Sequence, residues 1–137
     1  LLGAGRGKKP GQRKKPEVVY PRTLYLTIIG ASGLPKMDTI GWCDPYVIIE
    51  NLTTHQKEKT EIIYDNPEPV WEGLYLITVS SPQDKIVMEV YDKDQLKTDD
   101  YIGAVPLPLD KKFVCNREVA LEILSKKREP RGLLRVA

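Results

Sequence analysis

The chain has 137 residues, 41% hydrophobic and 29% charged, which suits one globular domain with its own apolar core. No apolar run approaches the ~20 residues that a membrane-spanning helix needs, and the opening Leu1-Leu2 is too short for the core of a signal peptide. The net charge of +2 conceals two unlike parts: residues 1–22 hold seven basic residues and one acid, a net +6, and the remainder carries −4.

Residues 1–22 are rich in Gly, Lys, Arg and Pro and have almost no apolar content before Val18, so they read as a flexible basic linker ahead of a domain at 23–137. Two roles stay open for this arm, a plain spacer or a polybasic segment with affinity for acidic lipids or nucleic acid. The Gly3/Gly5/Gly7/Lys8 cluster has the wrong spacing for a phosphate-binding loop and no Ser or Thr after the lysine. From there the text changes to short segments with a period of two. Strands are predicted at 24–29, 47–50, 57–64, 71–79, 85–92, 102–107, 118–124 and 132–136, with a long loop at 30–41 and a turn at 65–69. In the fifth, Ile86, Met88 and Val90 share one face; in the seventh, Val119, Leu121 and Ile123 point inward. A single helical turn at 111–116 is the only helical expectation. Eight such strands predict an all-β fold, an eight-stranded antiparallel β-sandwich.

Nine residues are Asp, and six of them fall in two loops: Asp38 and Asp44 after the first strand, Asp92, Asp94, Asp99 and Asp100 after the fifth. Both loops follow odd-numbered strands, so alternating strand directions bring them out at the same end of the sandwich. Carboxylates crowded on one rim repel and raise one another's pKa unless a cation neutralises them. A hard divalent ion with variable coordination fits oxygen donors drawn from two loops, which favours Ca²⁺ over Mg²⁺. Zinc is excluded by the lack of a Cys/His cluster, since His55 is the only histidine. The rival explanation for each aspartate alone is turn chemistry.

These residues resemble the C2 domain family. Gly33-Leu34-Pro35-Lys36-Met37-Asp38, Gly41 and Asp44-Pro45-Tyr46-Val47 are similar to its first calcium loop. Val90-Tyr91-Asp92-Lys93-Asp94, then Asp100-Tyr101-Ile102-Gly103, are similar to its third, and Pro69-Val70-Trp71-Glu72 to its tryptophan-bearing strand start. The resemblance implies a C2-like Greek key. It implies metal ligands at Asp38, Asp44, Asp92, Asp94 and Asp100, with backbone carbonyls from Met37 and Lys93. Lys97 stands where some members offer a hydroxyl to a further ion, so two calcium ions are expected. Glu68 and Glu72 stand in place of usual asparagines, and Gly73 in place of an acid. The tail at 132–136 suggests the permuted, type II topology, in which the last strand fills the place of an N-terminal one.

The implied function is calcium-dependent binding to anionic phospholipid membranes by a non-catalytic module. Ile40, Trp42 and Leu96 are the expected membrane contacts at the loop tips, the alternative for Trp42 being a side chain folded back on the sandwich. Lys57 and Lys59 make a weak basic face or an ordinary solvated one. The rival function is a protein-protein interaction module in which calcium is structural or absent. Nucleic acid is not favoured, resting only on the arm. An EF-hand fails because Lys97 occupies the turn-glycine position, and an aspartyl phosphatase fails because these strands build no parallel sheet. Cys43 and Cys115 lack metal-ligand spacing and suit a reducing compartment, so the expected location is cytoplasmic, peripheral to membranes when calcium binds. Asn51-Leu52-Thr53 is a glycosylation triplet relevant only to a secreted chain. With no initiator methionine, the chain reads as a piece of a longer protein, and a monomer is expected for the isolated domain.

Overall fold

The computed structural model describes residues 19–37, 41–109 and 117–137. Most of the basic arm, Asp38, Ile40, the helical turn expected at 111–116 and Cys115 therefore lie outside the described residues. The strands are β1 (Arg22–Ser32), β2 (Pro45–Asn51), β3 (Lys57–Lys59), β4 (Val70–Val79), β5 (Ile86–Asp92), β6 (Asp100–Leu107), β7 (Val119–Leu124) and β8 (Pro130–Val136). All neighbouring pairs are antiparallel, in the order β3-β2-β5-β6-β7-β8-β1-β4.

The alternation read from the sequence is the alternation of burial. Ile86, Met88 and Val90 are buried with at most 3% exposure, and so is Ile123. They join Leu26, Ile28, Val47, Ile49, Ile77, Ile102, Leu134 and Val136 in one apolar core. Each such side chain withdrawn from water stabilises the fold by about 1.5–3 kcal/mol. Tyr20 packs on this core from just ahead of β1.

One link in the strand order is minimal. Among the described residues β6 and β7 share the single pair Ala104↔Leu124, and there the ladder passes from the β3-β2-β5-β6 half of the sandwich to the β7-β8-β1-β4 half. Gly103 makes the corner sterically feasible: a Cβ there would lie 2.7 Å from both the Ile123 Cγ2 and the Leu124 carbonyl oxygen. β8 runs between β7 and β1, as the permuted topology requires.

Two strands differ from their predicted lengths. β1 continues through Ser32, because Ala31 and Ser32 pair with Leu134 and Leu133 of β8, a long-range partner that local pattern does not reveal. β3 stops at Lys59 rather than Tyr64. Thr60 ends the ladder by engaging Val47 through both its N–H and its hydroxyl, and the Glu61 carbonyl is diverted to the buried Trp71 Nε1 at 2.9 Å. A bulge follows in β4, where Trp71 and Glu72 oppose Ile29 alone. Glu72 has φ of 49° there, a left-handed conformation that asparagine accepts more readily than glutamate.

At the end of the sandwich where β2 finishes and β5 begins, a polar lock holds three chain segments. Asn51, fully buried, donates to the Thr78 carbonyl (3.1 Å) and Asp84 Oδ2 (2.8 Å), and its own oxygen accepts from the N–H groups of Thr53 and Thr54. The glycosylation triplet is thereby accounted for: this asparagine is a structural strut and offers no amide to a sugar in the folded chain. Asp84 also accepts from the Ser80 N–H and hydroxyl and from Ser81. Hydrogen bonds from Ser80, then Asn51, pull its pKa from 3.8 down to about 2.

Asn51→Ala removes four hydrogen bonds at a buried site and should lower unfolding free energy by about 2–4 kcal/mol in a denaturant titration. Asp84 binds its proton more readily in the unfolded chain than in the folded one. Its contribution is thus complete above about pH 4 and disappears as the pH falls towards about 2. Acid titrations of stability should show that loss, and Asp84→Asn should flatten it.

Candidate functional site

The register of the central strands explains why two distant loops meet. Asp92, the last residue of β5, pairs with Pro45 at the start of β2 on one side and with Asp100 at the start of β6 on the other. The end of the first loop and both ends of the 93–99 loop therefore emerge together. Their backbones are tied: the Asp44 N–H donates to Asp92 Oδ1 (2.8 Å), and the Lys93 N–H donates to the Asp44 carbonyl (3.0 Å). Four of the five predicted aspartate ligands, Asp44, Asp92, Asp94 and Asp100, lie on this rim. Asp38 lies outside the described residues.

The depth of the carboxylates differs. Asp92 is 2% exposed, whereas the side chains of Asp94 and Asp100 are 11% and 21% exposed. Asp94 Oδ1 accepts from the N–H groups of Leu96 and Lys97, a local turn, and its Oδ2 lies 3.8 Å from Lys97 Nζ. The same ammonium is 3.3 Å from Asp100 Oδ1. Asp100 Oδ2 is buried and has no hydrogen-bond partner among the described residues. An orphaned carboxylate oxygen on a rim that carries further carboxylates is the chemistry expected of a hard cation's donor set. Among the described residues no three His, Cys, Asp or Glu side chains are grouped closely enough to hold an ion.

Two residues outside the expected ligand set, Asp65 and Asp99, position this rim. Asp65, in the turn after β3, accepts the Trp42 N–H through Oδ1 (2.9 Å), and its own N–H donates to Asp44 Oδ1 (2.6 Å). Asp99 accepts the Asp94 N–H (3.0 Å) and the Tyr46 hydroxyl, with Lys93 Nζ at 3.7 Å. The Asp94 N–H first, and then the Tyr46 hydroxyl, hold Asp99 below the usual carboxylate pKa; burial, and then Asp99, push Tyr46 up. Asp99 thus fixes the start of its own loop. Asp65 carried no signal beyond its turn context, because its partners are 21 and 23 residues away.

Trp42 is 56% exposed and Leu96 is 96% exposed, so neither folds back onto the sandwich. Lys36 Nζ lies 5.9 Å from the Trp42 ring centre. Ile40 lies outside the described residues, and Met37 is half-buried against the core. Lys57 and Lys59 each have a local partner: Lys57 is 3.9 Å from Glu50, and Lys59 lies 4.4 Å from the Tyr46 ring centre. Tyr46 in turn stacks on Tyr91, which meets Tyr101 edge-on. Cys43, beside Asp44, is buried as a free thiol, and burial, followed by the charge of Asp92, raises its pKa to about 11.

Comparison with known proteins decides the family, because the C2 domain description matches residues 22–125. The chain belongs to the C2 domain family. This C2 domain is 35% identical over 98 residues to Synaptotagmin-5 of Arabidopsis thaliana, covering 71% of this chain and 17% of that protein. It spans less than a fifth of the length of the synaptotagmin relatives it matches. Among solved structures, a C2 domain of a plant extended synaptotagmin 1 superposes with a TM-score of 0.75 at 27% identity, over 83% of this chain and 89% of that one. A calcium-bound structure of paired C2 domains from extended synaptotagmin 2 gives 0.68 at 26% identity, over 85% of this C2 domain and 45% of that chain. No helix among the described residues is long and apolar enough to cross a membrane.

Iodide quenching should distinguish the two tryptophans of this C2 domain. Trp42 should be quenched and Trp71, 7% exposed, shielded; Trp42→Phe should remove most of the quenchable emission.

Proposed function

We propose that this C2 domain is a non-catalytic module of a larger protein that binds anionic phospholipid membranes in a calcium-dependent manner. The observation that supports it most is the buried Asp100 Oδ2, unpartnered among the described residues, on a rim shared with Asp44, Asp92 and Asp94. The calcium-bound extended synaptotagmin 2 structure supports the choice of ion. In this reading Asp38, Asp44, Asp92, Asp94 and Asp100, with the carbonyls of Met37 and Lys93, hold two calcium ions. Bound calcium supplies positive charge at the rim and open coordination positions for lipid phosphate oxygens.

The protein's own part is to gather the donors and to present apolar tips beside them. Trp42 and Leu96 stand exposed, and with Ile40 they enter the headgroup boundary. Each inserted side chain adds about 1–2 kcal/mol. Lys57 and Lys59 form a solvated flank. The module works as a monomer on the cytoplasmic side of membranes. A protein-partner role has one observation in its favour, the exposed Tyr25, Leu74 and Leu76 on the outer face of β1 and β4.

Co-sedimentation with phosphatidylserine-containing liposomes tests the proposal. The chain should pellet with calcium and stay soluble in chelator, and Asp92→Asn/Asp94→Asn should abolish pelleting. Equal pelleting with and without calcium would move the activity to residues 1–22. No pelleting in either condition would leave the protein-partner role ahead.

A further inference from the structure

Resting on the calcium reading of the rim, we infer that Lys97 is a tethered counter-cation that calcium must displace, and that it thereby sets the calcium threshold of the domain. Four observations carry this. The Lys97 ammonium sits between two predicted ligands, 3.8 Å from Asp94 Oδ2 and 3.3 Å from Asp100 Oδ1. The other basic side chain of the same loop, Lys93, is directed instead to Asp99 at 3.7 Å. Asp94 Oδ1 is already taken by the N–H groups of Leu96 and Lys97, so the ammonium covers the remaining oxygen of that carboxylate. Asp100 Oδ2, on the buried side, has no partner among the described residues.

This arrangement divides the work of neutralising the rim. Lys97 covers its outer side and leaves the inner oxygen to an incoming ion. A divalent cation that uses Asp94 and Asp100 meets a positive charge on the same two carboxylates, and like charges at such range repel strongly. The lysine is able to leave, because its side chain is 58% exposed and its charge rides on a flexible four-carbon stem. It belongs to the loop whose tip, Leu96, is 96% exposed, so its departure carries the ammonium into solvent. The lysine thus stabilises the metal-free domain and weakens the ion's grip by the same contacts.

Isothermal titration with calcium in the absence of lipid, on the 137-residue chain and its Lys97→Gln and Lys97→Arg variants, tests this, together with thermal melts in chelator and in calcium. Lys97→Gln should bind calcium about 3- to 10-fold more tightly, the range that two partly exposed ion pairs represent. It should also melt lower than the parent in chelator and gain more from calcium, while Lys97→Arg retains the parent behaviour. Equal calcium affinity with an unchanged chelator melt would overturn the role of Lys97 and leave the calcium site standing, and so would weaker binding by Lys97→Gln. Absence of calcium heat and of any calcium-induced melting shift in both the parent and Lys97→Gln would overturn the calcium reading itself, and this inference with it.

Discussion

Like charge held at close quarters is the constraint around which the functional end of this domain is arranged. The ladder pairs Asp92 with Asp100 directly across two strands, an opposition that costs stability unless other groups respond to it. Those responses account for much of the local structure. The Asp44 N–H turns to Asp92, the Asp65 N–H to Asp44, the Asp94 N–H to Asp99, and Lys97 lies over Asp94 and Asp100. Each is a donor aimed at a carboxylate, and together they hold the three surface segments of the rim in one arrangement.

Most of the framework was legible because a sandwich half exposed to water has to alternate. Ile86, Met88 and Val90 could be assigned to the core from spacing alone, and the turn residues Asp65 to Pro69 separated the third strand from the fourth. What the pattern could not reveal were pairings formed across long sequence separations. β1 outlasted its local signal because β8, about a hundred residues later, supplies partners for Ala31 and Ser32. β3 fell short of its alternation because Thr60 spends its hydroxyl on Val47 and Glu61 gives its carbonyl to Trp71.

The site divides in the same way. Aspartates clustered in two loops announced themselves by type and by position, and the strand register brings those loops to one end. The supporting residues did not, since an Asp in a turn looks alike whether it caps its own loop or braces another. Asp65 and Asp99 differ from ordinary turn formers only in their partners, Trp42 and Asp44 for one, Tyr46 and Lys93 for the other. Lys97, conspicuous in sequence as a departure from a hydroxyl, acquires meaning once its ammonium is found between two carboxylates.

The corner at Ala104 and Leu124 has a mechanical consequence. With a single bridging pair among the described residues there, the two layers resemble leaves of a book whose spine is one stitch, joined chiefly by the side chains packed between them. Asp44, Asp92, Asp94 and Asp100 all ride on the leaf made by β3, β2, β5 and β6. Shear between the leaves therefore leaves these four carboxylates in step with one another.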